Sequence, residues 1–243
     1  LRRGKAGHLE RNDMMAANYT IIVPVCHGGR FLENALLSLQ QLIAPPGGFE
    51  VVLAGNREAA GEIFNRNAGA SWTFIDSRGS RSESLNAACE IARGAIWVFS
   101  DDDCVFAPDW LLRIDDFFSR HPEAAVLGGA DVLAKESTSF DMALDAVLNA
   151  WLASGGTRSD RSLKAGAYYP KLWNMAVRAD AARQAALDRP NGRVMFLPDL
   201  PVHEDVELID RIRCANTGSV LYAPDIVVEH SRDTTYADFV TRN

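Results

Sequence analysis

Three carboxylates, Asp101, Asp102 and Asp103, follow an uninterrupted apolar run from Ala95 to Phe99. An apolar run of that length reads as a buried strand, so the triplet sits at a strand's C-terminal end, where open α/β sheets bind their ligands. Asp101 and Asp103 flank one residue and can both reach a hard divalent cation that also holds a diphosphate. Far downstream, Glu204 and Asp205 open a segment with apolar Val206, Leu208, Ile209 and Ile212. A carboxylate there can take a proton from a hydroxyl. The same pair would also complement a helix dipole if it did no chemistry. His230 ends the apolar stretch Ile226, Val227, Val228, and an imidazole suits Mn²⁺ as well as it suits a core edge. Asn174 is a polar residue for a sugar pocket or for capping a strand end. Trp173 beside it reads as core. Arg81 and Arg178 could meet phosphate but read by default as solvated. Gly28 and Gly29 make a turn and match no phosphate-cradling glycine motif.

Elements must hold these residues in place. The β-branched run 19–25 reads as a strand, and 31–42 repeats apolar residues at helical spacing. Strands are expected at 49–54 and 71–75, and helices at 57–67 and 80–93. The strand ahead of the Asp triplet then makes four strands alternating with three helices. That pattern predicts a mostly parallel sheet with right-handed crossovers. Further on, 109–119 reads as helix, 124–129 as strand and 140–152 as an amphipathic helix. The Gly-, Ser- and Arg-containing stretch 154–167 reads as a mobile segment beside an acceptor site. A strand is expected at 172–177, a helix from Asp180, a helix over 204–214, and two late strands at 219–222 and 226–229.

Composition narrows the class. The chain has 243 residues, 47% of them apolar, enough for one large α/β domain. A net charge of −7 argues against a nucleic-acid partner, which wants a basic face. The four cysteines, Cys26, Cys89, Cys104 and Cys214, are widely spaced, which suits a reducing compartment and free thiols. No stretch is long and apolar enough to read as a transmembrane helix. Residues 1–18 read as a flexible polar lead. Tyr236, Phe239 and Val240 begin a helical pattern that predicts a natural sequence continuing past Asn243.

Taken in order, three patterns resemble inverting glycosyltransferases of family 2 with the GT-A fold. The first is Ile21 to Val25 followed by Gly28 to Asn34. The second is Ser84-Leu85-Asn86 through Gly94 into Asp101 to Asp103. The third is Asn174 to Arg178, then Glu204-Asp205, then Tyr222 to Pro224 and Val227 to His230. The resemblance implies a Rossmann-like, mostly parallel central sheet flanked by helices in a single domain over 19–243. A nucleotide-binding half would cover 19–130 and an acceptor-side half 131–243. It also implies Mn²⁺ or Mg²⁺, a UDP- or GDP-sugar donor, and a glycan, lipid-linked or other hydroxyl acceptor. On this reading Asp101 and Asp103 match the family's D-x-D motif, with His230 as a further metal ligand. Pro24, Val25, Asn56, Asn86, Asp101, Asp102 and Asn174 would meet the substrates, and Asp205, with Glu204, would carry the catalysis. The setting implied is polysaccharide biosynthesis for the cell envelope, in the cytoplasm or at the membrane's cytoplasmic face, with peripheral membrane association.

The sequence departs from the family pattern in three places. The second strand ends Ala54-Gly55-Asn56 where an acidic residue is usual, which leaves the nucleotide open. Leu85 replaces the usual arginine before Asn86, and His203 replaces the usual glycine before Glu204. Three other readings compete. A sugar-nucleotide-forming nucleotidyltransferase would want Gly-x-Gly-Thr-Arg after the first strand, where Cys26-His27-Gly28-Gly29-Arg30 stands. A non-catalytic GT-A-like binding module would be expected to lack Asp101, Asp103 or Asp205. A receiver domain would want acidic residues at Cys26-His27.

Overall fold

The computed structural model describes residues 18–26, 28–134, 138–149, 168–190, 192–200 and 202–231. The first part of the chain alternates strand and helix, as the periodicity predicts. It runs β1 (Tyr19–Val25), α1 (Gly29–Gln40), β2 (Phe49–Gly55), α2 (Arg57–Asn67), β3 (Trp72–Asp76), α3 (Arg81–Ile91) and β4 (Ile96–Phe99). The rest adds β5 (Cys104–Phe106), α4 (Trp110–Arg120), β6 (Ala124–Leu133), α5 (Ser139–Asn149), β7 (Met175–Arg178) and α6 (Ala179–Gln184). The hairpin β8 (Leu187–Arg189) and β9 (Gly192–Val194), α7 (Glu204–Cys214) and β10 (Ser219–His230) complete it.

Eight strands form one sheet in the order β3-β2-β1-β4-β7-β6-β10-β5. The β3-β2-β1-β4 half is parallel throughout. Its inner strands β1, β2 and β4 are buried on both faces because helices cover both. Leu32, Leu36 and Leu39 of α1 pack on one side with Ile21, Val23 and Leu53. Leu85 and Ala88 of α3 pack on the other with Ile22, Val52 and Trp97. Pro24 sits in this central strand without disrupting it. Pairing of β1 with β4 stops at Ile22–Phe99, so the missing N–H falls beyond the ladder on that side.

The second half is mixed. β7 runs antiparallel to both β4 and β6, β10 is parallel to β6, and β5 is antiparallel to β10.

Several boundaries differ from expectation. The segment expected as one strand over 172–177 begins with a 3-10 turn, Leu172–Asn174, before β7. The turn is held from inside by Asn174, whose side chain bonds backbone on two other strands. The two late strands are one long β10, broken in register between Ala223 and Val227, where Pro224 and Asp225 form a bulge. The short β5 and the β8–β9 hairpin carry too little periodicity to have been read. The expected mobile segment 154–167 and the pattern at 236–240 lie outside the described residues.

At the N-terminal edge of the parallel half, a buried polar cluster ties three elements. Thr20 Oγ1 donates to Glu50 at 2.7 Å, Arg93 Nε donates to the same carboxylate at 2.8 Å, and Gly94 N donates to Thr20 at 2.8 Å. Glu50 is held below its ordinary carboxylate value. Burial alone would raise it, but the Arg93 N–H, the Thr20 hydroxyl and the Arg93 guanidinium outweigh that.

Candidate active site

The C-terminal ends of β1, β2 and β3 surround a cavity of about 280 Å³. Pro24, Val25 and Cys26 line one side, Asn56 another, and Ser77, Arg78, Arg81 and Ser84 the mouth of α3. Gly55 is required where β2 meets this floor, because a Cβ there would run into the Val25 carbonyl. Asn56 also caps α2, its side chain accepting from Glu58 N at 2.9 Å. Pro24, Val25 and Asn56 thus all line this cavity.

Arg81 connects this cavity to both acidic motifs. It stands in the first turn of α3, fixed by a capping box in which Ser80 and Glu83 bond each other's backbone N–H. Its guanidinium pairs directly with Asp101 at the end of β4, and its Nε lies 3.3 Å from Glu204 Oε1. Asp101 pairs with Arg81, while the cation-competent group described below is made of its neighbours. Burial pushes its carboxyl up to about 6, with Arg81 opposing the rise. The default reading of Arg81 as a solvated side chain is therefore corrected. Its signal was local: a Ser-x-x-Glu box that fixes which way the first turn faces. Asp102 turns back to the first strand and accepts from Cys26 N at 3.0 Å.

Asp103 and His230 meet because of sheet register. β5 and β10 pair His230 with Cys104, and Ser231 N donates to the Asp103 carbonyl at 2.9 Å. His230 Nε2 then lies 3.1 Å from Asp103 Oδ1. Burial disfavours the charged imidazole, but the Asp103 carboxylate outweighs it and raises His230 above its ordinary value. Among the described residues, Asp103, Cys104 and His230 form the group whose ligand atoms lie within 4.8 Å of one another. A carboxylate and an imidazole suit a divalent cation such as Mn²⁺. The Cys104 thiol is a soft ligand and suits such a hard cation less well. His230 Nδ1 is buried without a partner among the described residues, so Nε2 carries the imidazole's polar contact with Asp103.

Glu204 and Asp205 occupy the first turn of α7. His203 caps that turn in a left-handed conformation, φ 67°, a region that glycine enters more easily. The glycine usual in the family pattern is explained by this turn, and this chain accommodates His203 there instead. Asp205 is buried. Its Oδ1 accepts from Val206 N at 2.8 Å, and its Oδ2 lies 4.0 Å from Lys171 Nζ. Lys171 was not singled out in the sequence because nothing local marks it; it enters through the turn before Asn174. That turn is tied to β4 by Ser100 Oγ, which donates to the Trp173 carbonyl at 2.8 Å. Trp173 is not simply core: its ring packs 5.0 Å from that of His230.

Two expected substrate contacts are placed in the scaffold instead. Asn174 is buried with its whole amide used. It accepts from Trp110 Nε1 at 3.1 Å and donates to the carbonyls of Ala130 at 2.7 Å and Ile226 at 2.9 Å. Asn86 accepts from Met195 N and Phe196 N and donates to the Phe196 carbonyl at 2.7 Å, away from the nucleotide-sized cavity. Arg178 likewise serves the fold, donating to the Ala124 carbonyl and stacking on Phe118.

This geometry can be set beside known proteins. The model of the family described as glycosyl transferase family 2 matches residues 20–184. The chain belongs to glycosyl transferase family 2. It is a transferase domain with the GT-A fold, and its solved neighbours share that fold. The mannosyltransferase PcManGT of Pyrobaculum calidifontis, in complex with GDP-Man and Mn²⁺, superposes with a TM-score of 0.62 at 17% identity. That match covers 93% of this chain and 59% of the other. TarS 1-349 of S. aureus, in complex with UDP-GlcNAc, superposes with a TM-score of 0.61 at 16% identity, covering 90% of this chain and 59% of that one. The same protein with UDP gives 0.60 at 15%, covering 92% and 62%. This chain therefore spans about three fifths of the length of these neighbours. No curated protein matches the sequence. Among the described residues, no helix is long and apolar enough to cross a membrane.

Proposed function

We propose that this family 2 domain is a metal-dependent, inverting glycosyltransferase that moves a sugar from a UDP- or GDP-sugar to a hydroxyl on a glycan or lipid-linked acceptor. One observation carries the reading. Arg81 lines the cavity at the ends of β1 to β3, pairs with Asp101 and reaches Glu204, so one side chain joins the nucleotide site to both acidic motifs. The neighbours solved with GDP-Man and Mn²⁺ or with UDP-GlcNAc support a nucleotide-sugar donor.

In this reading the nucleotide lies over Pro24, Val25 and Asn56, and the diphosphate reaches past Arg81 toward Asp103. Asp103 and His230 would hold the Mn²⁺ or Mg²⁺, which when bound supplies charge stabilisation to the departing diphosphate. Asp101 stays on Arg81 and orients it, while Asp102 anchors the triplet to the end of β1. Asp205 Oδ1 is fixed by Val206 N, which leaves Oδ2 to take the proton of the acceptor hydroxyl. The acceptor oxygen attacks the anomeric carbon from the face opposite the leaving group. The carbon–oxygen bond to the diphosphate breaks with its electron pair leaving on the diphosphate, and the configuration inverts. Lys171 Nζ lies 4.0 Å from Oδ2, and Glu204 holds Arg81 at the junction.

The test is nucleoside-diphosphate release from a panel of UDP- and GDP-sugars with Mn²⁺. Release from one nucleotide class, lost with a chelator, is expected. No release or transfer from any donor of either class, with a panel of hydroxyl acceptors present, would overturn the reading.

A further inference from the structure

Helix α3 has two working faces. Arg81 and Ser84 turn toward the nucleotide cavity. Asn86, Cys89 and Glu90 turn toward a second cavity of about 280 Å³, closed by Trp97, Arg183, Arg193 and Met195. Nothing in the proposed transfer uses that second cavity.

Its chemistry is one-sided. Trp97 is fully buried at its floor, and its indole N–H has no acceptor among the described residues. Buried donors in folded proteins are nearly always paired, so this one asks for an acceptor. Arg183 lies over the Trp97 ring, 4.9 Å from its centroid, and has no carboxylate partner among the described residues; it donates to the Ala92 carbonyl at 3.3 Å. Arg193 pairs with Asp188 at 3.2 Å and donates to the Ala186 carbonyl at 3.3 Å, which still leaves donors of its five to spare. The Asn86 amide oxygen accepts from Met195 N and Phe196 N and its amide nitrogen donates to the Phe196 carbonyl, so it shapes the wall. Glu90 is an exposed carboxylate at the rim. The remaining lining, the Trp97 face and Met195, is flat or apolar.

We propose that this cavity is a second small-molecule site, for an anion that carries a phosphate or carboxylate on a body of about one ring. The oxyanion would take the guanidinium donors of Arg183 and Arg193 beside the indole N–H, and the ring would lie against Met195. The volume is near the lower end for ligand pockets. The site is separate from the donor site and does not depend on the transfer reaction.

The experiment follows the Trp97 indole N–H by NMR in indole-¹⁵N-labelled protein, with its resonance assigned by its loss in Trp97→Phe. Phenyl phosphate, benzoate and inorganic phosphate are titrated separately. The expected result is a saturable shift with phenyl phosphate or benzoate, at least about fivefold weaker affinity for inorganic phosphate, and a loss of at least about fivefold in Arg183→Met. Which ring-bearing probe binds better tells phosphate from carboxylate. Should Arg183→Met fail to fold, Arg193→Met on the exposed hairpin is expected to weaken binding in the same direction. UDP or GDP with Mn²⁺ should leave the shift in place. No saturable shift, a shift unchanged in these variants, or a shift abolished by the nucleotides would overturn the proposal.

Discussion

The parallel half of the sheet, β1 to β4, and the mixed half, β5, β6, β7 and β10, supply different things to one site. The parallel half gives a cavity made by consecutive strand ends and one helix start. Each of its residues is placed by the element next to it in sequence. In the proposed function the mixed half gives the cation pair and the base, and places them by long-range pairing. His230 meets Asp103 through the β5–β10 register, and Asp205 meets Lys171 through a turn that Asn174 and Ser100 hold from elsewhere. Binding geometry in the first half should therefore tolerate local change better than chemical geometry in the second.

The largest expected effect lies in the mixed half. Asp205→Asn is nearly isosteric but cannot accept a proton. Turnover should fall by ~10²–10⁴-fold while nucleotide affinity is kept. A variant that transfers at the normal rate with a competent acceptor would move the base elsewhere, with Glu204 next in line. Asn174→Ala comes second, read by chemical denaturation. It strands the Trp110 indole and two strand carbonyls inside the core, so stability should drop by about 3 kcal/mol. A drop under about 1 kcal/mol would mean the mixed half is not pinned by this side chain.

The smallest of the three effects lies in the parallel half, far from the chemistry. Glu50 is lowered in the folded state, so its contribution is fully present above its ordinary value of 4.5 and is lost as pH falls through the lowered one. Glu50→Gln should cost about 1–2 kcal/mol at neutral pH and flatten the acid limb of the stability curve, with nucleotide affinity unaltered. An acid limb as steep as that of the wild type would remove Glu50 from the account.

The same contrast explains what was legible in the sequence. β1 to β4 and the helices between them could be read because apolar period and short loops act locally. Pro24, Val25 and Asn56 followed, since a strand end marks its own residues. In the mixed half, the apolar pattern showed that 226–229 is a strand, but not that it joins 219–222 across a bulge at Pro224. Asn86 and Asn174 looked like ligand contacts because an amide at a strand or helix end fits either role. Only the positions of the Phe196, Ala130 and Ile226 backbone groups decide for the scaffold. Lys171 is silent in the sequence because its partner lies on another element.

The central claim is that one donor spans both halves, nucleotide in the first and diphosphate–cation in the second. Calorimetric titration of UDP and GDP, with and without Mn²⁺, into wild type and Asp103→Asn tests it most directly. The account predicts that Mn²⁺ tightens binding of one nucleotide at least about tenfold, about 1.4 kcal/mol, and that Asp103→Asn erases this gain while keeping the metal-free affinity. Equal affinities with and without Mn²⁺, or an undiminished gain in Asp103→Asn, would contradict it.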